Sequence, residues 1–188
     1  KAIDASDVIY HLAAQVAVTT SIRNPIADFE TNVIGTINIL EAIRASRGDQ
    51  ILIYASTNKV YGDMEHLAIS DEPSTGYRYR DLPAGINEDA PLDFHSPYGC
   101  SKGAADQYVR DYSRTFGLRT VVMRQSCIYG PRQFGIEDQG WVAWFVIAAV
   151  LERPLVIYGD GKQTRDLLHV DDLFKVYDAA EGKISISK

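Results

Sequence analysis

Residues 51–62 have the sequence ILIYASTNKVYG, in which an apolar run leads into a hydroxyl residue and a glycine. Its first part, Ile51–Ser56, is typical of a strand that is covered on both faces of a parallel sheet. The shorter runs Asp7–Leu12 (DVIYHL) and Arg119–Arg124 (RTVVMR) predict two further strands. These three segments predict the centre of a parallel sheet.

Helices are predicted between these strands. Over residues 24–47, an Asn-Pro pair suited to a helix start precedes apolar residues that recur every three or four positions. This predicted buried stripe consists of Ile26, Phe29, Val33, Ile37 and Leu40. Another helix is predicted from Ser96-Pro97 to Phe116, closed by Gly117. Strands that alternate with such helices predict an α/β fold with a doubly wound, Rossmann-like parallel sheet.

The remaining segments have weaker patterns. Residues 62–94 are polar, rich in Pro, Gly and Asp and without clear periodicity, so they predict a long excursion from the sheet. Beyond Tyr129 we predict a helix over Gln139–Leu151, a short strand over Leu155–Tyr158, a last helix capped by Asp171 or Asp172 and ending near Ala180, and a tail over residues 181–188.

Composition excludes several classes of protein. The chain has 188 residues, 46% of them hydrophobic, and 19 basic against 25 acidic residues give a net charge of −6, unlike a nucleic-acid-binding surface. The longest apolar run, Trp141–Leu151, is too short to span a membrane. Cys100 and Cys127 lack metal-ligand spacing and are too few for a disulfide framework. We expect a cytoplasmic protein with no metal, nucleic-acid or membrane partner.

Three residues suggest acid–base chemistry. Tyr98 and Lys102 are four positions apart near a helix start, which places both side chains on one helix face. An ammonium and a cationic cofactor ring would favour the phenolate and lower a pKa that is ordinarily about 10. Thr57 follows a predicted strand, at the edge where open α/β sheets bind ligands. From the residues alone, a surface Tyr–Lys pair and a capping threonine remain alternatives.

Four motifs together resemble the extended short-chain dehydrogenase/reductase family. They are HLAA at residues 11–14, TxxVYG at 57–62, YGxSK at 98–102 and RDxxHVDD at 165–172. The resemblance implies a nucleotide-sugar enzyme with bound NAD. Residues 1–130 would be part of the NAD-binding domain and residues 131–188 part of the substrate-binding lobe. Because the family's Gly-rich NAD turn has no counterpart here, we expect an N-terminally truncated fragment.

The resemblance also implies residue roles. Tyr98 would be the general base and acid, Lys102 would tune its pKa and bind the nicotinamide ribose, and Thr57 would position the sugar hydroxyl. The implied cofactor site comprises Ala13, Ala14, Asn32, Tyr98 and Lys102. The implied substrate site comprises Thr57, Ser126, Arg132, Gln133 and Arg165, with Arg165 clamping the diphosphate. Without the resemblance, Arg165 would be assigned as an ion-pair partner of Asp160 or Asp166, Arg132 as a solvated loop arginine and Ser126 as a packing residue.

The pair Asn58-Lys59 bears on the type of reaction. The family's 4,6-dehydratases place Asp-Glu here, and neither an amide nor an ammonium can replace those carboxyl groups as acid and base. Residues 56–62, 91–108, 132–134 and 138–142 most resemble members that act at C2 of a CDP-linked 3,6-dideoxyhexose. The resemblance therefore implies NAD-dependent epimerisation of a CDP-sugar through a transient ketosugar.

Two alternatives remain open from the sequence. A 4-epimerase of UDP-hexoses would use the same three residues with a different substrate pose. A fragment without the phosphate-binding turn could instead bind no cofactor and act only as a scaffold. The resemblance also implies a homo-oligomer formed through the helices at residues 24–47 and 97–116.

Overall fold

The computed structural model describes residues 2–46, 48–73 and 76–186. Within them, the strands are β1 (Val8–His11), β2 (Ile51–Thr57), β3 (Ile69–Glu72), β4 (Gly76–Tyr79), β5 (Arg119–Gln125), β6 (Cys127–Tyr129) and β7 (Leu167–His169). The α-helices are α1 (Val18–Arg23), α2 (Pro25–Phe29), α3 (Gly35–Ala45), α4 (Ser96–Phe116), α5 (Trp141–Val150) and α6 (Val170–Ile186). A π-helical turn, Glu30–Ile34, joins α2 to α3, and a short 3-10 turn, Asn58–Tyr61, follows β2.

The main sheet has the order β1-β2-β5 with all strands parallel. Tyr54 in the middle strand lies beside His11 of β1 and Val122 of β5. Six of the seven residues of β2 are buried, as expected of a strand with neighbours on both edges and layers on both faces. The three predicted strands and their parallel arrangement are confirmed.

Helices cover both faces of β2. Leu52 and Tyr54 point to one face, where they pack with residues of α3 and α4: Leu40, Ile43, Ala105, Val109 and Tyr112. Ile51 and Ile53 point to the other face and pack with Leu173 and Tyr177 of α6. Successive strand residues alternate between faces, so one apolar run supplies two cores. The doubly wound fold is confirmed, whereas the division at residue 130 stays a prediction.

The predicted stripe on the helix over residues 24–47 is wrong for its first turns. Asn24 caps the helix, as predicted, by accepting a hydrogen bond from the Ala27 amide at 3.2 Å. The π-turn then takes an extra residue and changes the phase of the side chains before and after it. As a result Leu40 is fully buried, but Ile26 and Phe29 are 68% and 48% exposed. The inward face of this first part carries polar residues instead.

The second half of the chain also departs from prediction. Residues 155–158 form no strand: they are exposed, and no described strand lies alongside to share backbone hydrogen bonds with them. The strand in this region is β7, which pairs in parallel with β6. Helix α6 begins at Val170, so Asp171 and Asp172 lie in its first turn and do not cap it as predicted, and the helix continues past the predicted end at Ala180. No helix in the described part of the chain is both long and apolar enough to cross a bilayer.

The excursion at residues 62–94 contains the hairpin β3–β4, which its composition did not predict. Its two ends meet, because the Asp93 amide donates to the Val60 carbonyl at 3.0 Å. A side chain at Gly62, where φ is 71°, would come within 2.4 Å of the Asp93 carbonyl oxygen. This close approach returns the chain to the end of β2 and places the start of α4 beside it.

Candidate active site

Thr57 and Tyr98 meet at the carboxyl edge of the sheet. Thr57 is the last residue of β2 and only 7% exposed, and its hydroxyl lies close enough to the phenol of Tyr98, in the first turn of α4, to lower the pKa of that phenol. The same hydroxyl accepts a hydrogen bond from the Lys59 amide at 3.2 Å. Thr57 is therefore both a turn cap and a neighbour of the tyrosine.

Two serines fix the backbone that carries Tyr98. Ser21 of α1 is fully buried, and its Oγ accepts a hydrogen bond from the Tyr98 amide at 3.1 Å. The Oγ of Ser96 accepts from the Gly99 amide at 3.2 Å, although Ser96 has a left-handed φ of 66°. Both bonds satisfy amides that have no partner inside the first turn of a helix. They hold the start of α4 in a single position.

Lys102 is a buried ammonium, 3% exposed. Its Nζ donates to the Ala55 carbonyl of β2 at 2.6 Å and lies 4.2 Å from the centre of the Tyr54 ring. Burial lowers the pKa of Lys102 to about 8, while the carboxylates of Asp106 and Asp28 act in the opposite direction. The lysine is thus one helical turn from Tyr98, with its ammonium directed at the strand.

The phenol of Tyr98 is less acidic than the sequence predicted. Burial raises the pKa of Tyr98 above its usual 10; the nearby Thr57 hydroxyl lowers it, and the negative charge of Asp28 raises it further. In this arrangement the Lys102 ammonium donates to the Ala55 carbonyl, and a lowered pKa of Tyr98 with a cationic cofactor ring beside it stays a prediction.

Asn32 links the segment after β1 to α4. Its Oδ1 accepts from the Gln15 amide at 2.9 Å, and its Nδ2 donates to the Ser101 hydroxyl at 2.9 Å. Ala13 and Ala14 lie between β1 and Gln15, with Ala13 exposed and Ala14 partly buried. The predicted cofactor residues therefore lie along the same edge as Thr57, Tyr98 and Lys102.

A buried ion pair beneath the site was missed by the sequence analysis. Asp106 of α4 is fully buried and accepts from Nε and Nη2 of Arg124, both at 3.0 Å. It also accepts from the Ser56 hydroxyl at 2.7 Å, and Arg124 donates to the Tyr61 hydroxyl at 3.0 Å. Asp106 follows Lys102 by four residues on one helix face, a spacing that could have indicated it. The pair locks α4 onto β2 and β5.

The predicted substrate residues do not all lie at the edge of the sheet that carries Thr57. Ser126 lies between β5 and β6, where its Oγ donates to the Asp166 carbonyl at 3.1 Å and lies 3.5 Å from the Asn58 amide nitrogen. Ser126 thus reaches the edge at which Thr57 lies. The exposed guanidinium of Arg165 donates to the Thr164 carbonyl at 3.1 Å. Asp160, one of the two ion-pair partners considered for Arg165, accepts a hydrogen bond from the Tyr77 hydroxyl.

The loop at residues 132–133 has one outward and one inward side chain. Arg132 is exposed, with a left-handed φ of 65°. Gln133 turns inward, and its Nε2 donates to the Ile128 carbonyl at 3.2 Å. Among the described residues, no hydrogen bond or ion pair joins Arg132, Gln133 or Arg165 to the Thr57–Tyr98 pair.

Comparison with known proteins agrees with this geometry. Residues 1–184 match the NAD dependent epimerase/dehydratase family. The chain is 54% identical over 184 residues to the CDP-paratose 2-epimerase of Salmonella typhi, covering 95% of this chain and 54% of that protein. Among solved structures, Pal from Bacillus thuringiensis is 38% identical with a TM-score of 0.76, covering 93% of this chain and 50% of that one. The UDP-glucose 4-epimerase of Thermus thermophilus in complex with NAD is 32% identical with a TM-score of 0.72, covering 93% and 52%.

The chain spans about half the length of the relatives it matches. The match nevertheless extends over almost all of this chain and includes the strand, helix and motif that carry Thr57, Tyr98 and Lys102. The resemblance inferred from the four motifs is confirmed: the chain belongs to the NAD dependent epimerase/dehydratase family.

Proposed function

We propose that the protein containing this chain is a nucleotide-sugar epimerase that oxidises one ring carbon to a ketone and reduces it again from the opposite face. The observation that carries this proposal is the position of the Thr57 hydroxyl beside the Tyr98 phenol, whose pKa it lowers, one helical turn from the buried ammonium of Lys102. A phenol, a hydroxyl and an ammonium in one place can bind, deprotonate and reprotonate an alcohol oxygen.

The carboxyl edge of the sheet fits the nicotinamide half of NAD, the cofactor of this family. Ala13 and Ala14 present only methyl groups at the end of β1, which leaves room for a flat ligand, and Tyr98 and Lys102 present polar groups beside that space. These four residues would hold the cofactor, and Asn32 would support them from below through Gln15 and Ser101. When bound, NAD supplies the acceptor and donor of a hydride.

The chain's own residues move the proton. At neutral pH the raised pKa keeps Tyr98 protonated, so the phenol needs a nearby positive charge before it can act as a base. Lys102 offers that charge from the same helix face. The Tyr98 oxygen would take the proton of the sugar hydroxyl as the carbon is oxidised, and return it when the ketone is reduced. Thr57 would hold the same oxygen in line.

The finer proposal is that the substrate is CDP-paratose and the product CDP-tyvelose, formed by inversion at C2. Support comes from the similarity to the Salmonella typhi CDP-paratose 2-epimerase, which covers nearly all of this chain. The side chains after Thr57 support epimerisation over dehydration, since Asn58 and Lys59 supply no carboxyl group. Ser126, Arg132, Gln133 and Arg165 stay proposed substrate residues, with Arg165 on the diphosphate.

A UDP-hexose 4-epimerase is the second candidate, favoured by the structural similarity to the Thermus thermophilus enzyme. Incubating the natural full-length protein with CDP-paratose and with UDP-glucose at matched concentrations, followed by chromatography of the products, separates the two. CDP-tyvelose formation supports the first proposal, and UDP-galactose formation supports the second. If neither product forms and the purified protein lacks the absorbance of bound dinucleotide, the protein is a scaffold without catalysis.

We also propose that the protein works as a homo-oligomer in the cytoplasm. The helices at residues 24–47 and 97–116 expose apolar side chains, among them Ile26 and Phe29 on the first and Tyr108 and Phe116 on the second. A second copy that covers these side chains would remove them from water. Sedimentation of the full-length protein tests the assembly, and a strictly monomeric protein contradicts it. Cell fractionation tests the location.

A further inference from the structure

Asp28 is a buried carboxylate that the proposed chemistry does not use. It lies in α2 and is 1% exposed. Its Oδ1 accepts from the Gln15 side chain at 2.6 Å and from Asn32 Nδ2 at 3.3 Å, while its Oδ2 has no hydrogen-bond partner among the described residues. Removing a carboxylate from water without a compensating cation is costly. A nearby positive charge would therefore stabilise the buried carboxylate of Asp28.

The nearby positive charge is Lys102. Asn32 Nδ2 donates both to Asp28 at 3.3 Å and to the hydroxyl of Ser101 at 2.9 Å, so Asp28 is joined by hydrogen bonds to the residue directly before Lys102 on α4. Two carboxylates act on this ammonium, Asp106 and Asp28. Asp106 is already neutralised by its two hydrogen bonds to Arg124. Asp28, in contrast, forms no ion pair with an arginine or a lysine among the described residues. The free negative charge of Asp28 and the free positive charge of Lys102 thus complement each other.

The other groups around this pair add no net charge. His11 of β1 is buried and neutral, since burial and the charge of Lys102 lower its pKa to about 4. Tyr54 of β2 and Tyr98 of α4 have raised pKa values and are neutral at physiological pH. Together with the Asp106–Arg124 pair these groups sum to zero, so without Asp28 the buried ammonium would be uncompensated.

We propose that Asp28 is a positioning residue whose carboxylate is the counter-charge of the Lys102 ammonium and thereby sets the pH range in which the site works. Only the effect on catalysis rests on the proposed function; the pairing of Asp28 with Lys102 does not. Asp28 acts on Tyr98 too, through its charge and through the hydrogen-bonded path from Asn32 to the Ser101 hydroxyl to the Tyr98 carbonyl, at 2.9 Å and 3.2 Å.

Neutralising Asp28 should shift both groups in the same direction. Lys102 would lose the charge that favours its protonated form, and Tyr98 would lose the charge that opposes its phenolate. Both titrations move to lower pH. A residue that only fills space would not move the two limits of a pH profile together.

The test uses Asp28→Asn in the full-length protein, with Glu30→Gln as the matched control, because Glu30 is an exposed carboxylate two residues further along the chain. Lys102 is titrated by NMR of isotope-labelled lysine, assigned with Lys102→Arg. The native protein and the control should titrate near pH 8, and Asp28→Asn about 1 pH unit lower. With substrate, both limits of the kcat profile should move down by a similar amount. An unchanged Lys102 midpoint in folded Asp28→Asn overturns the proposal.

A second variant tests the proposal if Asp28→Asn does not fold. If Asp28→Asn does not fold, adding Lys102→Met should restore cooperative unfolding, because the uncompensated ammonium is then gone. If both fold, the double variant should have an unfolding constant at least about tenfold smaller than that of Asp28→Asn. A double variant no better than the single one overturns the inference. Since the NMR and unfolding measurements need no substrate, a protein that epimerises nothing but shows the Lys102 shift contradicts the proposed function alone.

Discussion

The hydroxyl of Thr57 lies beside the phenol of Tyr98 at the end of β2 and lowers its pKa, although a long excursion of the chain separates the two residues. The contact exists because the excursion closes on itself where the Asp93 amide donates to the Val60 carbonyl. Helix α4 therefore starts at the strand end, and a strand residue and a helix residue meet at the edge where open α/β sheets bind ligands.

Tyr98→Phe should lower kcat by about 10²- to 10⁴-fold, because it removes the only atom of that side chain able to carry a proton. Folding should be unaffected, since the Tyr98 backbone amide keeps its bond to Ser21. Product formation in the full-length protein measures the change. Tyr108→Phe, an exposed tyrosine on the same helix, should retain full activity. Normal turnover by Tyr98→Phe would exclude the phenol as the acid–base group.

His11 should make stability fall in mild acid. Burial, helped by Lys102, lowers its pKa from 6.5 to about 4, so the unfolded chain binds a proton between these values and the native chain does not. The contribution of neutral His11 to the free energy of unfolding is therefore fully present above pH 6.5. It is lost as the pH falls from 6.5 to about 4, and the total loss is up to about 3 kcal/mol.

Urea unfolding at pH 7.5 and pH 4.5 measures this effect. His11→Asn should lose less stability between the two pH values than the native chain, since it has no group to titrate there. His66→Asn, which changes an exposed histidine, should behave as the native chain does. Equal pH dependence in the native chain and His11→Asn would contradict the assignment.

Arg124→Met should reduce the free energy of unfolding by about 3–5 kcal/mol, because it leaves the fully buried carboxylate of Asp106 without its cation. Lys175→Met breaks an exposed pair with Asp172 and should change stability by less than about 1 kcal/mol. Equilibrium unfolding in guanidinium chloride compares the two. Similar values for both variants would mean that the buried pair does not anchor α4.

Gly103→Ala should destabilise the protein by about 1–3 kcal/mol, since the added carbon would lie 2.4 Å from the ring of Phe94. Gly182→Ala is the matched control in helix α6, where no described residue outside the neighbouring helix backbone lies within 4 Å of the added carbon. It should stabilise by about 0.5–1 kcal/mol, because alanine favours the helix. Thermal unfolding of both variants checks the opposite signs. A stabilising Gly103→Ala would show that the Phe94 ring moves aside freely.

Local patterns were sufficient for the framework of the fold. The apolar run Ile51–Ser56 predicted a central strand, and the caps at Asn24 and Gly117 marked the helix ends that the structure has. The four-residue spacing of Tyr98 and Lys102 placed both on one helix face. Such features depend on neighbours within a few residues, so the sequence contains them directly.

Contacts between distant segments decided the rest. The π-turn at Glu30–Ile34 turned Asp28 inward and Ile26 outward, and residues 155–158 stayed irregular without a described strand beside them. The direction of the Lys102 ammonium and the raised pKa of Tyr98 follow from burial against β2. By itself the sequence determined the three strands of the main sheet, the long helix α4 and the positions of Thr57, Tyr98 and Lys102 on β2 and α4. Only the tertiary structure decided the protonation states of the site side chains and the directions in which they point. Desolvation and long-range electrostatics depend on segments that are far apart in the chain.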